Sequence, residues 1–244
     1  MNSLLFPIRK IGFTVRSTIS QDPKYASLYT PFIVWGQFKG KLRGKEDSES
    51  TVTTSTELVI DGFQGSANSF ATVAFRYFQD KPVQLAHHLH APVLIISAVE
   101  KAIPVLLTVR EPEGTVMSLT SRWPYVSVVQ ALRSYIGFYG CLLPYASECI
   151  ISDFSTTTKG LDRIIAALNV KYSTNFALVN VDVANRVCRA AVSDSPDSYA
   201  RRKQLKAKKK TELYSSALAL KLLDDANVLY SKYQSMHEQC LKEG

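Results

Sequence analysis

The chain has 244 residues, of which 46% are hydrophobic, and it carries a formal net charge of +8. This length suffices for one sizeable α/β domain with extensions, and no apolar run is long enough to predict a membrane-spanning helix. The four cysteines are scattered and form no C-x-x-C pair. That pattern favours a reducing compartment, so we expect a cytoplasmic protein without a zinc site.

The positive charge is concentrated at the two ends of the chain. Residues 1–50 hold eight Lys/Arg against four Asp/Glu, and residues 201–210 hold seven Lys/Arg and no acid. Basic ends suit an anionic ligand, a nucleic acid or a membrane surface, although a charge run is more often a solvated face. The run at 203–210 lacks interleaved aromatic residues, so we expect no specific nucleic acid and only a weak membrane-surface contact through the basic ends.

Residues 1–56 are predicted to form an N-terminal extension and a linker. The segment 1–19 is apolar and basic, which resembles a weak amphipathic anchor or a transit-like segment. A helix packed on the fold is the simpler interpretation. Residues 29–35 are predicted to contact the core, and the Ser/Thr-rich segment 45–56 is predicted to be the linker.

Residues 57–70 join a short apolar run to a loop of small residues, and an amphipathic pattern follows over 69–78. Strand, small-residue loop and helix form the layout of a phosphate-binding loop, because backbone N–H groups and the positive helix end face the anion. Gly62 and the triplet Ala67-Asn68-Ser69 lie on the template Gly-x4-Gly-Lys-Ser/Thr, with Asn68 in place of the lysine. A kinase-like magnesium–triphosphate site is therefore disfavoured. An anion-binding loop and an ordinary strand-to-helix turn both stay open.

Strands and helices are then predicted to alternate along the chain. This alternation predicts an α/β fold with three α/β/α layers around a central parallel sheet, together with N- and C-terminal helical extensions. The core is assigned to 57–195. The predicted strands lie within 82–90, at 103–109 and at 149–152, and the predicted helices lie at 93–101, 113–121, 126–143 and 156–170.

The C-terminal part, 196–244, is predicted to contain a basic segment and a helix that packs on the core. Residues 194–210 are polar and then basic, which predicts a loop or a poorly ordered lead-in. The final helix is predicted from an apolar stripe at steps of three and four. The stripe consists of Leu218, Leu222, Ala226, Leu229, Tyr233, Met236 and Cys240.

Three candidate functional groups follow predicted strands: the small-residue loop, Arg110, and a group of histidines. Ligands of parallel sheets bind at this carboxyl edge. An arginine there can hold a phosphate through two N–H donors, and Ser118 on the next helix can add a further donor. A structural salt bridge from Arg110 to Glu111 or Glu113 is the alternative.

His87, His88 and His90 are three of the four histidines of the chain. In a strand, His88 and His90 share one face and His87 points the other way. A neutral imidazole can take a proton from an acceptor hydroxyl as a general base. A metal site needs a further ligand, and no Cys or carboxylate is near in sequence, so a general base or plain packing is favoured.

Together these segments resemble the sulfotransferases that use 3′-phosphoadenosine 5′-phosphosulfate (PAPS), and especially a bacterial branch of that family. The resemblance covers roughly residues 58–176. The matching segments are 59–70, 87–92, 104–112 with Ser118, 131–139, and Asp153-Phe154.

The resemblance implies a P-loop nucleotide-binding type of fold and a metal-free reaction. In that reaction a sulfuryl group passes in line from PAPS to a hydroxyl or amine of an unidentified acceptor. It implies that His90 is the catalytic base and that Arg110 and Ser118 bind the 3′-phosphate. Arg201, Arg202 and Lys203 are candidates for a further basic contact. The loop residues that it assigns to the 5′-phosphosulfate, through backbone N–H groups and the Ser66 and Ser69 hydroxyls, are Gln64, Gly65, Ser66, Ala67, Asn68 and Ser69.

The chain departs from the family pattern at one position. The family usually has Pro followed by Lys or Arg where this chain has Gln64-Gly65. That basic residue stabilises charge on the bridging oxygen, and losing one such donor costs about 3–4 kcal/mol of barrier. Arg76 and the cluster 201–203 are candidate substitutes. The alternative function is therefore a non-catalytic sulfotransferase-like protein that binds the nucleotide or a partner.

Overall fold

The computed structural model describes residues 6–41, 51–192 and 195–243, and within these ranges the chain forms four β-strands and eleven α-helices. The strands are β1 (Leu58–Gly62), β2 (Leu85–His87), β3 (Val105–Val109) and β4 (Ile150–Asp153). The helices are α1 (Phe6–Ser20), α2 (Ala26–Lys41), α3 (Asn68–Phe78), α4 (Pro92–Glu100), α5 (Pro112–Arg122), α6 (Val128–Leu142), α7 (Phe154–Lys159), α8 (Leu161–Tyr172), α9 (Val181–Val192), α10 (Pro196–Tyr214) and α11 (Ala217–Glu243).

The four strands form one parallel sheet in the order β2-β1-β3-β4. Ile60 of β1 pairs with His87 on one side and with Leu106 on the other. All residues of the two central strands, β1 and β3, are buried. Such strands are expected from continuous apolar runs in a parallel sheet covered on both faces, and the predicted α/β class is confirmed.

Two hydrophobic clusters lie on opposite faces of the sheet. Val59, Val105 and Leu107 face the first cluster, to which α4, α5, α6 and α11 contribute. Leu58 and Leu106 face the second, to which α3, α8 and α9 contribute. Alternate residues of a strand point to opposite faces, so helices on both sides bury the whole sheet.

Two predictions about the helices are wrong. The helix predicted at 156–170 is two helices, because the backbone at Gly160 departs from helical geometry and separates α7 from α8. The loop predicted at 194–210 is largely helix α10, which begins with a Ser195 cap and Pro196 in its first turn. Lys and Arg favour helix, and their apolar stems can pack while the charges stay outside. Lys209 is packed more deeply, since its amine is buried and donates to Val126 O at 3.2 Å.

The N-terminal residues 6–41 form a helical hairpin, α1 and α2, in agreement with the expectation of a helix packed on the fold. Helix α1 packs on α6, where Gln21 donates to Ser134 O at 2.9 Å. Tyr29 is buried, as expected for the segment 29–35, whereas Trp35 of the same segment is 57% exposed. Residues 45–50 of the predicted linker lie outside the described residues.

Helix α11 packs on the sheet along most of the predicted stripe. Ala226, Leu229 and Tyr233 are buried, but Leu218 is exposed and the buried stripe begins at Ala219 instead. Helix α9 lies in a part of the core for which no element is predicted from the sequence.

Candidate functional site

The loop between β1 and α3 has the backbone form of an anion-binding loop. It turns through two left-handed residues, Gly65 at φ 99° and Ala67 at φ 78°. Ala67 is the N-cap of α3, and its side chain offers no acceptor to the helix. The first N–H groups of α3 therefore carry the positive end of the helix dipole without a capping side chain.

The side chains of Ser66 and Asn68 are turned inward and brace the loop. Asn68 Nδ2 donates to Gly62 O at 2.8 Å and to Asp61 Oδ1 at 3.3 Å. Asn68 Oδ1 accepts from the hydroxyls of Ser66 and Thr108. These contacts tie the loop to β1 and β3, so Asn68 has a structural role at the lysine position of the triphosphate template. The single Ser66 hydroxyl proton is shared between Asn68 Oδ1 and Phe63 O, and this hydroxyl is buried rather than turned to the rim.

Ser69 and Gln64 face outward, unlike Ser66 and Asn68. Both are half-buried. The Ser69 hydroxyl lies 2.9 Å from His88 Nε2. Gln64 lines a cavity that also contains His90. Ser69 is therefore the loop hydroxyl that remains near a ligand position.

Arg110 and Ser118 both lie against the loop. Arg110 Nη1 donates to Gly65 O at 3.2 Å, and its guanidinium lies 4.1 Å from the centre of the Phe154 ring. A Cβ placed on Gly65 would lie 3.1 Å from the Cβ and Oγ of Ser118. The fold thus brings the loop, Arg110 and Ser118 together at the carboxyl edge, the edge of the sheet at which all four strands end.

The salt bridge considered for Arg110 is also present. Its Nε donates to Glu111 Oε1 at 3.1 Å, whereas Glu113 pairs with Lys210 at 2.9 Å. Arg110 keeps a side-chain exposure of 23%, so part of the guanidinium remains accessible from the rim.

Helices α5 and α10 add a basic cluster next to Arg110. The pKa of Lys206 is lowered, chiefly by partial burial and further by the charges of Arg110, Arg202 and Arg122. The pKa of Arg122 is lowered by partial burial and by Arg202. Like charges held this close repel one another, and a bound anion would relieve that repulsion.

The sequence singled out Arg201 and Arg202 from this region but missed Lys206 and Arg122. Arg202 is half-buried within the cluster, and Arg201 is exposed on α10. Lys206 follows Arg202 by one helical turn, a spacing that would have indicated it if 196–214 had been recognised as a helix.

His90 is held as a neutral imidazole at the start of the next loop. Its backbone N–H donates to Asp61 Oδ2 at 2.7 Å, and its Nδ1 lies 2.9 Å from Gly62 O. Because a carbonyl only accepts, Nδ1 carries the proton and Nε2 keeps its lone pair. Burial lowers the pKa of His90 to about 4, against the raising effect of Gly62 O. An uncharged ring with an available Nε2 can act as a base.

Asp61 is a buried carboxyl group beneath His90 that sequence reasoning missed. Its Oδ1 lies 3.4 Å from His90 Nδ1. Burial raises the pKa of Asp61 to about 7, against the lowering effect of its backbone hydrogen bonds. Its position inside an apolar strand could have indicated a functional or paired carboxyl group, since a carboxyl group is rarely buried without a partner.

The predicted strand alternation of the histidines is wrong, because β2 ends at His87. His88 and His90 both have positive φ, 55° and 48°, and so leave the strand geometry. The His88 ring packs on both neighbours, with centroid distances of 4.8 Å to His87 and 5.7 Å to His90. Desolvation of the ring by its neighbours, together with the charges of the adjacent histidines, lowers the pKa of His88 to about 3, although the residue keeps an exposed surface.

A cavity of about 250 Å³ opens beside His90, and we call it the His90 cavity. Helix α1 forms one wall, so the N-terminal hairpin takes part in the site, which the sequence did not indicate. Arg16 of α1 lines the cavity and donates from Nε to the Tyr29 hydroxyl at 2.9 Å. Its positive charge also lowers the pKa of His90, although burial has the larger effect. Aromatic side chains on the other walls are Phe63, Trp123, Tyr125 and Phe138.

A larger cavity of about 880 Å³ lies at the opposite edge, where Glu57 precedes β1 and Pro104 precedes β3. It is remote from the loop, Arg110 and His90. Ligands of parallel sheets bind at the carboxyl edge, so the smaller cavity is the better candidate for chemistry.

The comparisons with protein-family models, with curated proteins and with solved structures found no match. Across residues 6–41, 51–192 and 195–243, no group of three or more His, Cys, Asp or Glu side chains could hold a metal ion. In the same ranges, no helix has both the length and the apolar character needed to cross a bilayer.

Proposed function

We propose that the protein is a sulfotransferase of the P-loop nucleotide-binding type that uses PAPS as donor and a hydroxyl or amine compound as acceptor. The observation that carries this proposal is the convergence of an uncapped helix, a group of cations and a neutral histidine on one edge of a parallel sheet. A donor with two phosphate-bearing ends needs two anion sites, and an acceptor hydroxyl needs a base beside it.

The donor would lie across the loop. The N–H groups at the start of α3 suit the 5′-phosphosulfate, because they present the positive end of the helix dipole. Arg110 and Ser118 suit the 3′-phosphate, and both lie against Gly65. Arg122 and Lys206 add positive charge next to Arg110. The accessible guanidinium edge of Arg110 and these cations would hold the bisphosphate product as well.

The acceptor would occupy the His90 cavity. Its hydroxyl oxygen attacks sulfur, His90 Nε2 takes the hydroxyl proton, and the bond from sulfur to the 5′-phosphate oxygen breaks with its electron pair. Adenosine 3′,5′-bisphosphate leaves and the sulfate ester remains. The imidazolium formed is stabilised by its Nδ1–H bond to Gly62 O and by Asp61 at 3.4 Å.

A second candidate function is binding of the nucleotide without transfer, and Gly65 favours it. The family pattern has a cation at this position, and here the residue is a left-handed glycine packed on Ser118. Without that cation, charge on the leaving oxygen has less stabilisation.

Calorimetry with adenosine 3′,5′-bisphosphate, compared with ATP and magnesium, tests both functions. We expect the bisphosphate to bind and the affinity to fall about tenfold or more in Ser118→Ala, because a hydrogen bond to a charged group is worth about 1.5–3 kcal/mol. Absence of bisphosphate binding to the folded protein would contradict both candidates. Incubation with labelled PAPS then separates them: turnover that His90→Gln abolishes indicates the enzyme, and tight binding without turnover indicates the binding protein.

A further inference from the structure

Helix α1 carries an apolar stripe on the side that faces away from the fold. Phe13 and Ser17 lie on its inner side, toward α6 and the His90 cavity. The outer stripe at steps of three and four residues has exposures of 67%, 64% and 43% for Ile8, Ile11 and Val15. The outer face of a helix on a soluble fold is normally polar, so these three side chains need a reason to be there.

Helix α2 also exposes apolar side chains, and they are larger than those of α1. Leu28, Phe32, Val34, Trp35 and Phe38 are between 36% and 57% exposed. Leu28, Phe32 and Trp35 fall on one face, one helical turn apart. The hairpin therefore displays apolar and aromatic side chains from both helices, and exposed apolar patches of this kind mark interaction sites.

The charge of the hairpin indicates what covers this surface. Residues 6–41 contain six Lys/Arg and a single acid, Asp22, a net charge of +5. We propose that the α1–α2 hairpin docks the protein on an anionic lipid surface, lying in the interface without crossing it. Basic residues attract the headgroups, while aromatic and aliphatic side chains enter the boundary below them.

The same charge disfavours a second copy of this chain as the occupant. A two-fold interface would bring one hairpin against another, since each copy uses the same surface. Two segments, each of net charge +5, would then be brought together. Exposed Phe32, Trp35 and Phe38 also suit a bilayer boundary, where amphipathic and aromatic rings are enriched.

This proposal does not depend on sulfuryl transfer. The exposed stripes of α1 and α2 differ from the α1 residues that line the His90 cavity, among them Arg16. Variants of the stripes can therefore remove docking while nucleotide binding is kept, and each proposal can fail without the other.

The experiment is sedimentation of the full chain with two kinds of vesicle, phosphatidylcholine alone and phosphatidylcholine mixed with phosphatidylglycerol. We expect binding to the mixed vesicles, a decrease with added salt, and little binding to phosphatidylcholine alone. The variant Phe32→Ser,Phe38→Ser should bind at least about tenfold more weakly, because it removes two apolar side chains that would be buried in the boundary. The matched control is Tyr77→Ser,Val170→Ser, which removes similarly exposed side chains from α3 and α8 and should bind like the unchanged chain.

A second variant, Ile8→Ser,Ile11→Ser, tests the stripe of α1 and should also weaken binding. Circular dichroism and the midpoint of urea unfolding establish that each variant is folded. The proposal is overturned if mixed vesicles do not bind the chain, if binding is equal on both vesicle types, or if the Phe variant binds as tightly as its control. Sedimentation equilibrium showing a dimer that the same variant dissociates would assign the surface to a second copy and would also overturn it.

Discussion

Gly65 is the position at which the loop depends most on having no side chain, and Gly65→Ala tests that dependence. Its φ of 99° lies in the region that L-residues avoid. The added Cβ would lie 3.1 Å from the Cβ and Oγ of Ser118 and 3.5 Å from Thr115 O. A non-glycine residue with left-handed backbone costs about 1–2 kcal/mol, and overpacking of a tight contact adds about 1 kcal/mol or more. We therefore expect the free energy of unfolding to fall by about 2–3 kcal/mol.

Urea denaturation followed by circular dichroism measures this change. The matched control is Gly140→Ala in α6, where a Cβ would meet nothing within 4 Å. That variant should be more stable than the unchanged chain by about 0.5–1 kcal/mol, because alanine favours helix over glycine. A Gly65→Ala variant as stable as the unchanged chain would refute the left-handed, closely packed loop described here. For the same reason, Gly65→Arg is expected to lose stability rather than restore a family-like cation.

Four further outcomes are expected. Asn68→Ala should lower the free energy of unfolding by about 3 kcal/mol in the same urea assay, because it leaves buried hydrogen-bonding groups without partners. The rate of sulfuryl transfer should fall only as the pH approaches about 4, since protonation of His90 removes the base there. A rate that already falls near the usual histidine pKa of 6.5 would contradict the lowered pKa of His90. Lys206→Gln should weaken bisphosphate binding and reduce its salt dependence in calorimetry, whereas Lys208→Gln on the same helix should change neither. Arg16→Gln should slow transfer about a hundredfold at unchanged bisphosphate affinity if its charge acts beside the transferred group.

The elements at the carboxyl edge were predictable because each depends on a local pattern. Buried parallel strands are continuous apolar runs, so β3 was placed within two residues of its observed start at Val105. The small-residue loop and Arg110 follow strands directly, and parallel pairing brings strand ends to the same edge. Periodicity located α3 equally well, because its buried face repeats with the helical period.

The predictions that were wrong or missing concern residues whose positions depend on contacts distant in sequence or on backbone conformation. Asp61 and Asn68 meet only because the loop folds back on β1. Nothing in the sequence indicated the positive φ of His88 and His90, which ends the strand geometry and turns the rings together. Helix α10 was missed because a run of charges was interpreted as solvated chain, although Lys209 packs against Val126 O.

The loop has no cation at Gly65, but positively charged side chains from neighbouring helices lie near the loop. Gly65 lets the loop close on Ser118, and any side chain there would open that contact. The positive charge at this edge comes instead from helices, with Arg16 on α1, Arg122 on α5 and Lys206 on α10. The loop sequence alone shows the missing cation at Gly65, because it does not include the cations of the helices. Since electrostatic stabilisation depends on where a charge lies and not on which element carries it, Arg16 and Arg122, whose charges act on His90, are the candidates to supply what the loop does not.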